Sequence, residues 1–285
     1  MSNLHIDSWP WKIALVLAIV GAREFVRLVS PKDATVGGDL GENTKWLIET
    51  LDSAAIAIGL VLFVIQPFLL QAFYIPSGSM EDTLRIRDRL LVSKLIYRLR
   101  EPRREDVIVF NAPPAALTAA GQSGEEETDY IKRCIGVPGD VVYAKNRMYY
   151  VNGKLQTEPY VKWSPFNSGI DYSYDMKIVD GKVFHREYEA PNAPDLWKGS
   201  DGDTVDQEKI ENAAPGKVPQ GCYFMLGDHR NNSNDGHIWG FVPRENIIGK
   251  AVCVFWPPTR VGLLDNMSFH PRAPEPLTAD VANAQ

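Results

Sequence analysis

Residues 129–140 read Asp129-Tyr130-Ile131-Lys132-Arg133-Cys134-Ile135-Gly136-Val137-Pro138-Gly139-Asp140. Side chains of an extended strand alternate between its two faces, so Tyr130, Lys132 and Cys134 share one face and Ile131, Arg133 and Ile135 the other. Gly136, Pro138 and Gly139 then close the run. The pattern recurs outward along the chain. Leu90-Leu91-Val92, Val107-Ile108-Val109-Phe110, Val141-Val142-Tyr143 and Ala251-Val252-Cys253-Val254-Phe255 are short apolar runs bounded by Gly, Pro and charged residues. Met148-Tyr149-Tyr150-Val151 runs into Asn152-Gly153, a two-residue hairpin signal. The chain beyond the N-terminal segment therefore reads as β-rich.

The N-terminal side is different. Ser53 to Met80 carries no charged side chain, and its centre, Ala54 to Phe73, reads AAIAIGLVLFVIQPFLLQAF. About 20 residues at ~1.5 Å each cover the ~30 Å hydrocarbon core of a bilayer, so residues 53–74 are predicted to form a transmembrane helix. Gln66 and Pro67 inside it are expected to kink it. A weaker stretch, Ile13 to Ala22, is interrupted by Arg23, Glu24 and Arg27 and falls short of the ~17 residues needed to span. One span and two spans both stay open. Arg23, Arg27, Lys32 and Lys45 between the two stretches place that linker on the cytoplasmic side, with the rest of the chain across the membrane.

The 285 residues carry a net charge of −6, which gives no reason to expect nucleic acid as a partner. A basic run from Arg85 to Arg104 follows the uncharged stretch and reads either as a solvated face or as contact with anionic lipid. Cys134, Cys222 and Cys253 are widely separated; they do not have zinc-site spacing, and an odd count is not a complete disulfide framework. Residues 112–128 read as a surface loop, and 160–216 as a loop-rich insert outside the core. The Pro/Ala-rich end, 271–285, reads as a flexible tail.

Three stretches carry chemistry. In Ile75-Pro76-Ser77-Gly78-Ser79-Met80-Glu81-Asp82-Thr83-Leu84, Pro76 and Gly78 bracket a turn that can present a hydroxyl. At ~3.5 Å per residue from Phe73, Ser79 lies within ~20 Å of the membrane surface. A serine needs a base to become a nucleophile. Lys132, flanked by uncharged residues on its strand face, becomes such a base if burial lowers its pKa from ~10.4. The third stretch, Gly227-Asp228-His229-Arg230-Asn231-Asn232-Ser233-Asn234-Asp235-Gly236-His237-Ile238-Trp239-Gly240, is dense in hydrogen-bonding side chains and reads as an internally bonded scaffold. Ser233 is placed to aim the lysine. The ligand alternation of a calcium loop is absent there.

Taken together, PSGSM, Arg87 to Lys94 (RDRLLVSK), YIKRCIGVPGD and GDHRNNSNDGHIWGFVP resemble, in order and relative spacing, the signature boxes of bacterial type I signal peptidases. The resemblance implies an antiparallel, barrel-like β catalytic domain over 75–270, with 160–216 as a cap insert, behind one or two membrane helices in 1–74. It implies Ser79 as nucleophile, Lys132 as general base, Ser77 with the Ser79 N–H as oxyanion hole, and Ser233 as the lysine-orienting residue. Arg133 and Asp228 resemble a structural ion pair, with Tyr130 and Asp235 near the site. The implied substrates are precursor proteins with signal peptides, cut after small residues at −1 and −3. The implied location is the bacterial inner membrane with the catalytic domain on the periplasmic side, and neither metal nor cofactor is expected. Asp82, Arg87, Asn231 and His237 depart from residues common in the family; Asp235 and His237 are expected to form a pH-sensitive pair. The rival readings are a Ser-His-Asp hydrolase using His229 or His185, a narrow-range Ser/Lys processing peptidase, and an inactive membrane-anchored binding protein.

Overall fold

The computed structural model describes residues 9–30, 32–33, 39–40, 42–121, 128–164, 173–188, 196–200 and 205–266. The chain divides into two units, Met1–Gln71 and Ala72–Gln285. In the first, one helix spans Trp9–Val29 and a second spans Glu42–Leu60, continuing as a π-helical stretch, Val61–Leu69. Pro67 accounts for the change in winding. It has no N–H to give the carbonyl four residues back, and the N–H of Leu70 reaches the carbonyl of Ile65, five back.

The second helix differs from the sequence expectation at both ends. It begins at Glu42 rather than Ser53, and the chain turns to strand at Leu70–Tyr74, inside the stretch expected to be helical. Glu42, Lys45 and Glu49 carry long, helix-compatible side chains, and Glu42 suits the positive end of the helix dipole. Glu42–Phe63 is long and apolar enough to cross a membrane, and none of its apolar window is buried within the protein. The first helix runs on through Arg23, Glu24 and Arg27. Arg23 Nε lies 2.8 Å from Asp52 Oδ1 on the second helix, and Glu24 sits against the same guanidinium, so the charges interrupt the apolar stretch without ending the helix.

The second unit is built from antiparallel sheets. Its central sheet contains, in spatial order, Phe241–Pro243, Cys222–Leu226, Asp129–Gly136, Val107–Asn111, Ile247–Trp256 and Arg89–Ser93. Asp129–Gly136 pairs on one side with Val107–Asn111, with Ile108 opposite Lys132, and on the other with Cys222–Leu226. A second sheet holds Trp197–Gly199, Lys182–Tyr188, Ser173–Val179, Val142–Lys145, Met148–Val151 and Lys154–Leu155. The Asn152-Gly153 hairpin forms as read, with φ of +52° and +75°.

The stretch 160–216 overturns its expectation where it is described. Ser173–Val179 and Lys182–Tyr188 form a hairpin closed by Asp180-Gly181, and Tyr174, Met176, Ile178 and Val183 join Val142, Tyr149 and Phe224 in a buried core. Period-2 alternation of Tyr174, Met176 and Ile178 and an Asp-Gly turn were both present, obscured by flanking Gly, Pro and Asn. A short helix, Pro114–Ala119, lies in the stretch read as a surface loop. Residues 122–127 of that stretch, 165–172, 189–195 and 201–204 of the insert, and the tail from Pro271 lie outside the described residues.

Candidate active site

The loop at 75–84 is pinned at its ends and underneath. The Ile75 N–H donates to the Asp88 carbonyl (3.0 Å), and the Arg87 N–H returns to the Ile75 carbonyl (2.9 Å). Within the loop, Glu81 N–H donates to Gly78 (3.1 Å) and Leu84 N–H to Met80 (2.8 Å), a single helical turn. Met80 and Leu84 are fully buried beside Ile75, Leu90 and Val92, so the loop cannot shift without opening a core. Ser79, between these anchors, is 8% exposed.

Lys132 comes from the middle of strand Asp129–Gly136 and is 5% exposed. Its Nζ lies 2.7 Å from Ser79 Oγ. Burial lowers the lysine pKa to about 8, although Asp235 and Asp228 pull it back up. A buried amine that sheds its proton near neutrality can accept one from a serine hydroxyl. Ser77 Oγ stands 3.4 Å from Ser79 Oγ on the exposed side of the turn. Tyr130 lies under the amine, with Lys132 Nζ 5.6 Å from its ring centroid.

On the opposite face of the strand, Arg133 grips Asp228 through two parallel bonds, Nε to Oδ1 at 2.8 Å and Nη2 to Oδ2 at 2.7 Å. Thr83 donates to the same carboxylate at 2.5 Å, tying the 75–84 loop to this ion pair. Tyr160 covers the guanidinium at 3.8 Å. Asp235 caps the short helix Gly236–Trp239, accepting from the N–H groups of Gly227 (2.8 Å) and His237 (3.2 Å), and its Oδ1 lies 2.6 Å from His237 Nδ1. Burial alone would raise the Asp235 pKa; His237, the Gly227 N–H and Lys132 hold it below the usual carboxylate value. Tyr174, from the insert hairpin, stacks flat on His237 at 3.9 Å.

One expected contact is absent. Ser233 Oγ is buried but makes no hydrogen bond, to Lys132 or to any other group among the described residues. Lys132 Nζ is engaged by Ser79, and Ser233 lies instead against Gly227: a Cβ there would stand 2.2 Å from Ser233 Oγ and 2.5 Å from the Ser79 carbonyl oxygen. The histidines of the rival reading have other partners among the described residues. His229 Nε2 bonds Ser164 Oγ at 2.6 Å, and His185 pairs with Glu187 at 3.5 Å. All three cysteines are free thiols. Among the described residues, no group of His, Cys, Asp and Glu is placed to hold a metal ion.

Sequence reasoning passed over Thr83, Glu158, Tyr160, Lys162 and Ser164. Glu158 forms a fully buried bidentate pair with Arg230, at 2.9 and 2.5 Å. Thr83 and Asp228, Glu158 and Arg230, and Ser164 and His229 stand 145, 72 and 65 residues apart in sequence, so no local motif signals them.

The Ser79 hydroxyl and the Lys132 amine thus meet at 2.7 Å in a buried site on a β scaffold. The signal peptidase (peptidase S26) family model matches residues 47–256. Probable signal peptidase I-2 of Synechocystis is 39% identical over 223 residues, covering 78% of each chain. Signal peptidase I of Leptolyngbya laminosa is 36% identical over 76% of this chain and 84% of its own. Signal peptidase I of Pseudomonas aeruginosa is 30% identical over 92% of this chain and 97% of its own. The chain belongs to the signal peptidase family, whose members are serine endopeptidases.

Proposed function

We propose that this chain removes N-terminal signal peptides from exported precursors by Ser79/Lys132 acyl transfer, cutting after small residues at −1 and −3. The observation that carries the reading is the 2.7 Å contact between Lys132 Nζ and Ser79 Oγ in a buried site where the lysine pKa falls to about 8. Neutral Lys132 takes the Ser79 proton as Oγ attacks the scissile carbonyl. The oxyanion is held by the Ser79 N–H and the Ser77 hydroxyl, whose 3.4 Å separation from Ser79 Oγ suits that task. Lys132 then returns the proton to the leaving amine, the C–N bond breaks, and an acyl-enzyme ester remains. Water, deprotonated by the same amine, hydrolyses that ester. Ser233 keeps the lysine-orienting role: its buried hydroxyl is without another partner and turns to Lys132 once Ser79 Oγ is acylated. Arg133, Asp228, Tyr130 and Asp235 shape the pocket and its charge.

The helix Glu42–Phe63 anchors the enzyme in the bacterial inner membrane, with residues 75–270 on the periplasmic side, where precursors emerge. Cleavage of a membrane-presented Ala-x-Ala precursor by the wild type, Ser79→Ala and Lys132→Ala tests the proposal. Loss in both variants supports it; cleavage by Ser79→Ala overturns it. A wild type that is inactive on the precursor yet acylated at Ser79 by a serine-directed probe would keep the chemistry and overturn the substrate class.

A further inference from the structure

The turn that presents Ser79 carries two carboxylates, Glu81 and Asp82, to which the dyad gives no task. The Glu81 N–H donates to the Gly78 carbonyl (3.1 Å), and its carboxylate lies over the turn. A Cβ on Gly78 would stand 3.2 Å from Glu81 Cδ and Oε1. Covalent bonds of ~1.3–1.5 Å lead from that Cβ position through Gly78 to the Ser79 nitrogen, so the carboxylate lies within ~8 Å of it. That nitrogen is the proposed oxyanion donor.

A cation from the start of the insert meets this carboxylate. Lys162 Nζ lies 3.3 Å from Glu81 Oε2 and 3.5 Å from Asp82 Oδ1. Its backbone is clipped to the site: Lys162 N–H donates to the Asp228 carbonyl (2.8 Å), and the Lys162 carbonyl accepts from Arg230 N–H (2.9 Å). The Lys162 and Glu81 side chains are 35% and 30% exposed, so water screens the pair only in part. His229 Nδ1 also faces Glu81 Oε2, at 3.6 Å, but brings no charge. Asn232 Nδ2 donates to that Nδ1 at 3.4 Å, which leaves the ring proton on Nε2, against Ser164 Oγ at 2.6 Å. Burial first, and Lys162 second, push the imidazole pKa below its ordinary value.

Acyl transfer builds a negative oxygen beside the Ser79 N–H and the Ser77 hydroxyl. A carboxylate so near opposes that charge, and a lysine on the carboxylate cancels most of the opposition. From this we infer that Lys162 is a positioning residue that acts through Glu81, holding and neutralising its carboxylate over the oxyanion turn. One unit charge at ~8 Å, in a dielectric between ~20 and ~80, changes a rate by roughly 2- to 30-fold. Partial exposure of the pair narrows the expectation to roughly 3- to 10-fold.

The inference rests on the proposed acyl-transfer reading, and its test separates the two. Full-length protein in detergent is assayed on the Ala-x-Ala precursor as wild type, Lys162→Met, Lys162→Arg, Glu81→Gln, Glu81→Gln/Lys162→Met, Ser79→Ala and Lys132→Ala. Lys162→Met is expected to lose roughly 3- to 10-fold in kcat, with KM within about twofold. The affinity for a peptide boronate, which carries the charge of the tetrahedral adduct, should fall in parallel. The deficit should shrink between ~0.01 M and ~1 M salt, as the Debye length falls from ~30 to ~3 Å. Lys162→Arg, which keeps the charge, retains most of the rate. Glu81→Gln raises kcat, and the double variant regains most of what Lys162→Met lost. A Glu81→Gln as slow as Lys162→Met, with no recovery in the double variant, would make the pair a mechanical tether and overturn the inference. An unchanged kcat in Lys162→Met, or a loss confined to KM, overturns it as well. If Lys162→Met fails to fold, Glu81→Gln decides, and a rate no faster than wild type overturns the inference. Cleavage by Ser79→Ala or Lys132→Ala sinks the underlying dyad instead.

Discussion

Lys132 Nζ stands 2.7 Å from Ser79 Oγ, and both side chains are more than nine-tenths buried. Under the proposed acyl transfer, that relationship sets the pH dependence of cleavage. Burial disfavours the ammonium, so the neutral amine is populated as pH rises through about 8. We expect kcat/KM on a signal-peptide precursor to rise along a single ionisation near pH 8 and then level off. Lys132→Arg should be as inactive as Lys132→Ala, because a guanidinium stays charged. Substantial turnover in Lys132→Arg would remove the amine from the mechanism.

The same burial has a cost in stability, with a definite sign. The folded pKa of about 8 lies below the ordinary 10.5, so between these values the unfolded chain binds more protons than the folded one. Stability rises with pH across that window, and below pH 8 the full penalty, on the order of 3 kcal/mol, is present. Lys132→Met should therefore unfold at higher denaturant than wild type at pH 7. The difference should shrink steadily toward pH 10.5. A constant offset at all pH values would show that lost packing or the Ser79 bond, rather than the charge, controls the variant.

Ser77 sits on the exposed side of the turn with its hydroxyl 3.4 Å from Ser79 Oγ. Few contacts hold it, so Ser77→Ala should leave the unfolding midpoint within ~0.5 kcal/mol of wild type. Its kcat should fall ~10²–10³, as expected for one oxyanion donor. Ser77→Thr, which keeps the hydroxyl, should recover most of that rate. Equal loss in the Ala and Thr variants would point to the backbone of the turn instead of the hydroxyl.

How much of this was legible beforehand depended on how local each signal was. Lys132 and Arg133 on opposite faces followed from strand alternation alone, and the Asn152-Gly153 hairpin from two adjacent residues. The helix limits were misread because charge was taken to end an apolar span. Arg23 and Asp52 show how a pair on neighbouring helices carries charge inside helical structure. The insert was misread because a period-2 pattern of three core residues, Tyr174, Met176 and Ile178, was diluted by turn-forming neighbours. The Ser233–Lys132 contact was read from a loop dense in hydrogen-bonding side chains, which does not say which groups meet; the buried Ser233 hydroxyl lies instead against Gly227. Long-range polar partners such as Thr83 with Asp228, or Ser164 with His229, leave no trace in a single sequence.

Asp228 accepts both bonds of the Arg133 fork as well as the Thr83 hydroxyl, and it is fully buried. Removing one partner of a buried pair leaves an uncompensated charge, at a cost of ~3–5 kcal/mol. Asp228→Ala should therefore lose about that much stability in denaturant unfolding. The double variant Asp228→Ala/Arg133→Met, with neither charge, should regain part of it. A double variant less stable than the single would mean that packing of Arg133 on Tyr160, rather than the charge, dominates.

Gly227 offers the sharpest steric test of the site. It lies where Ser233 and the Ser79 backbone converge, and an added Cβ would stand 2.2 Å from Ser233 Oγ and 2.5 Å from the Ser79 carbonyl oxygen. The first clash can be relieved by shortening Ser233. The second cannot, because that carbonyl is backbone and accepts the His229 N–H. In Gly227→Ala the Ser79 peptide must move, and displacement of a reacting atom by about 1 Å can cost ~10² in rate. We expect kcat to fall at least that far, with stability lower by ~1–3 kcal/mol from overpacking. Adding Ser233→Gly should return stability without returning kcat. Recovery of both in the double variant would locate the damage in Ser233 and leave the Ser79 backbone undisturbed.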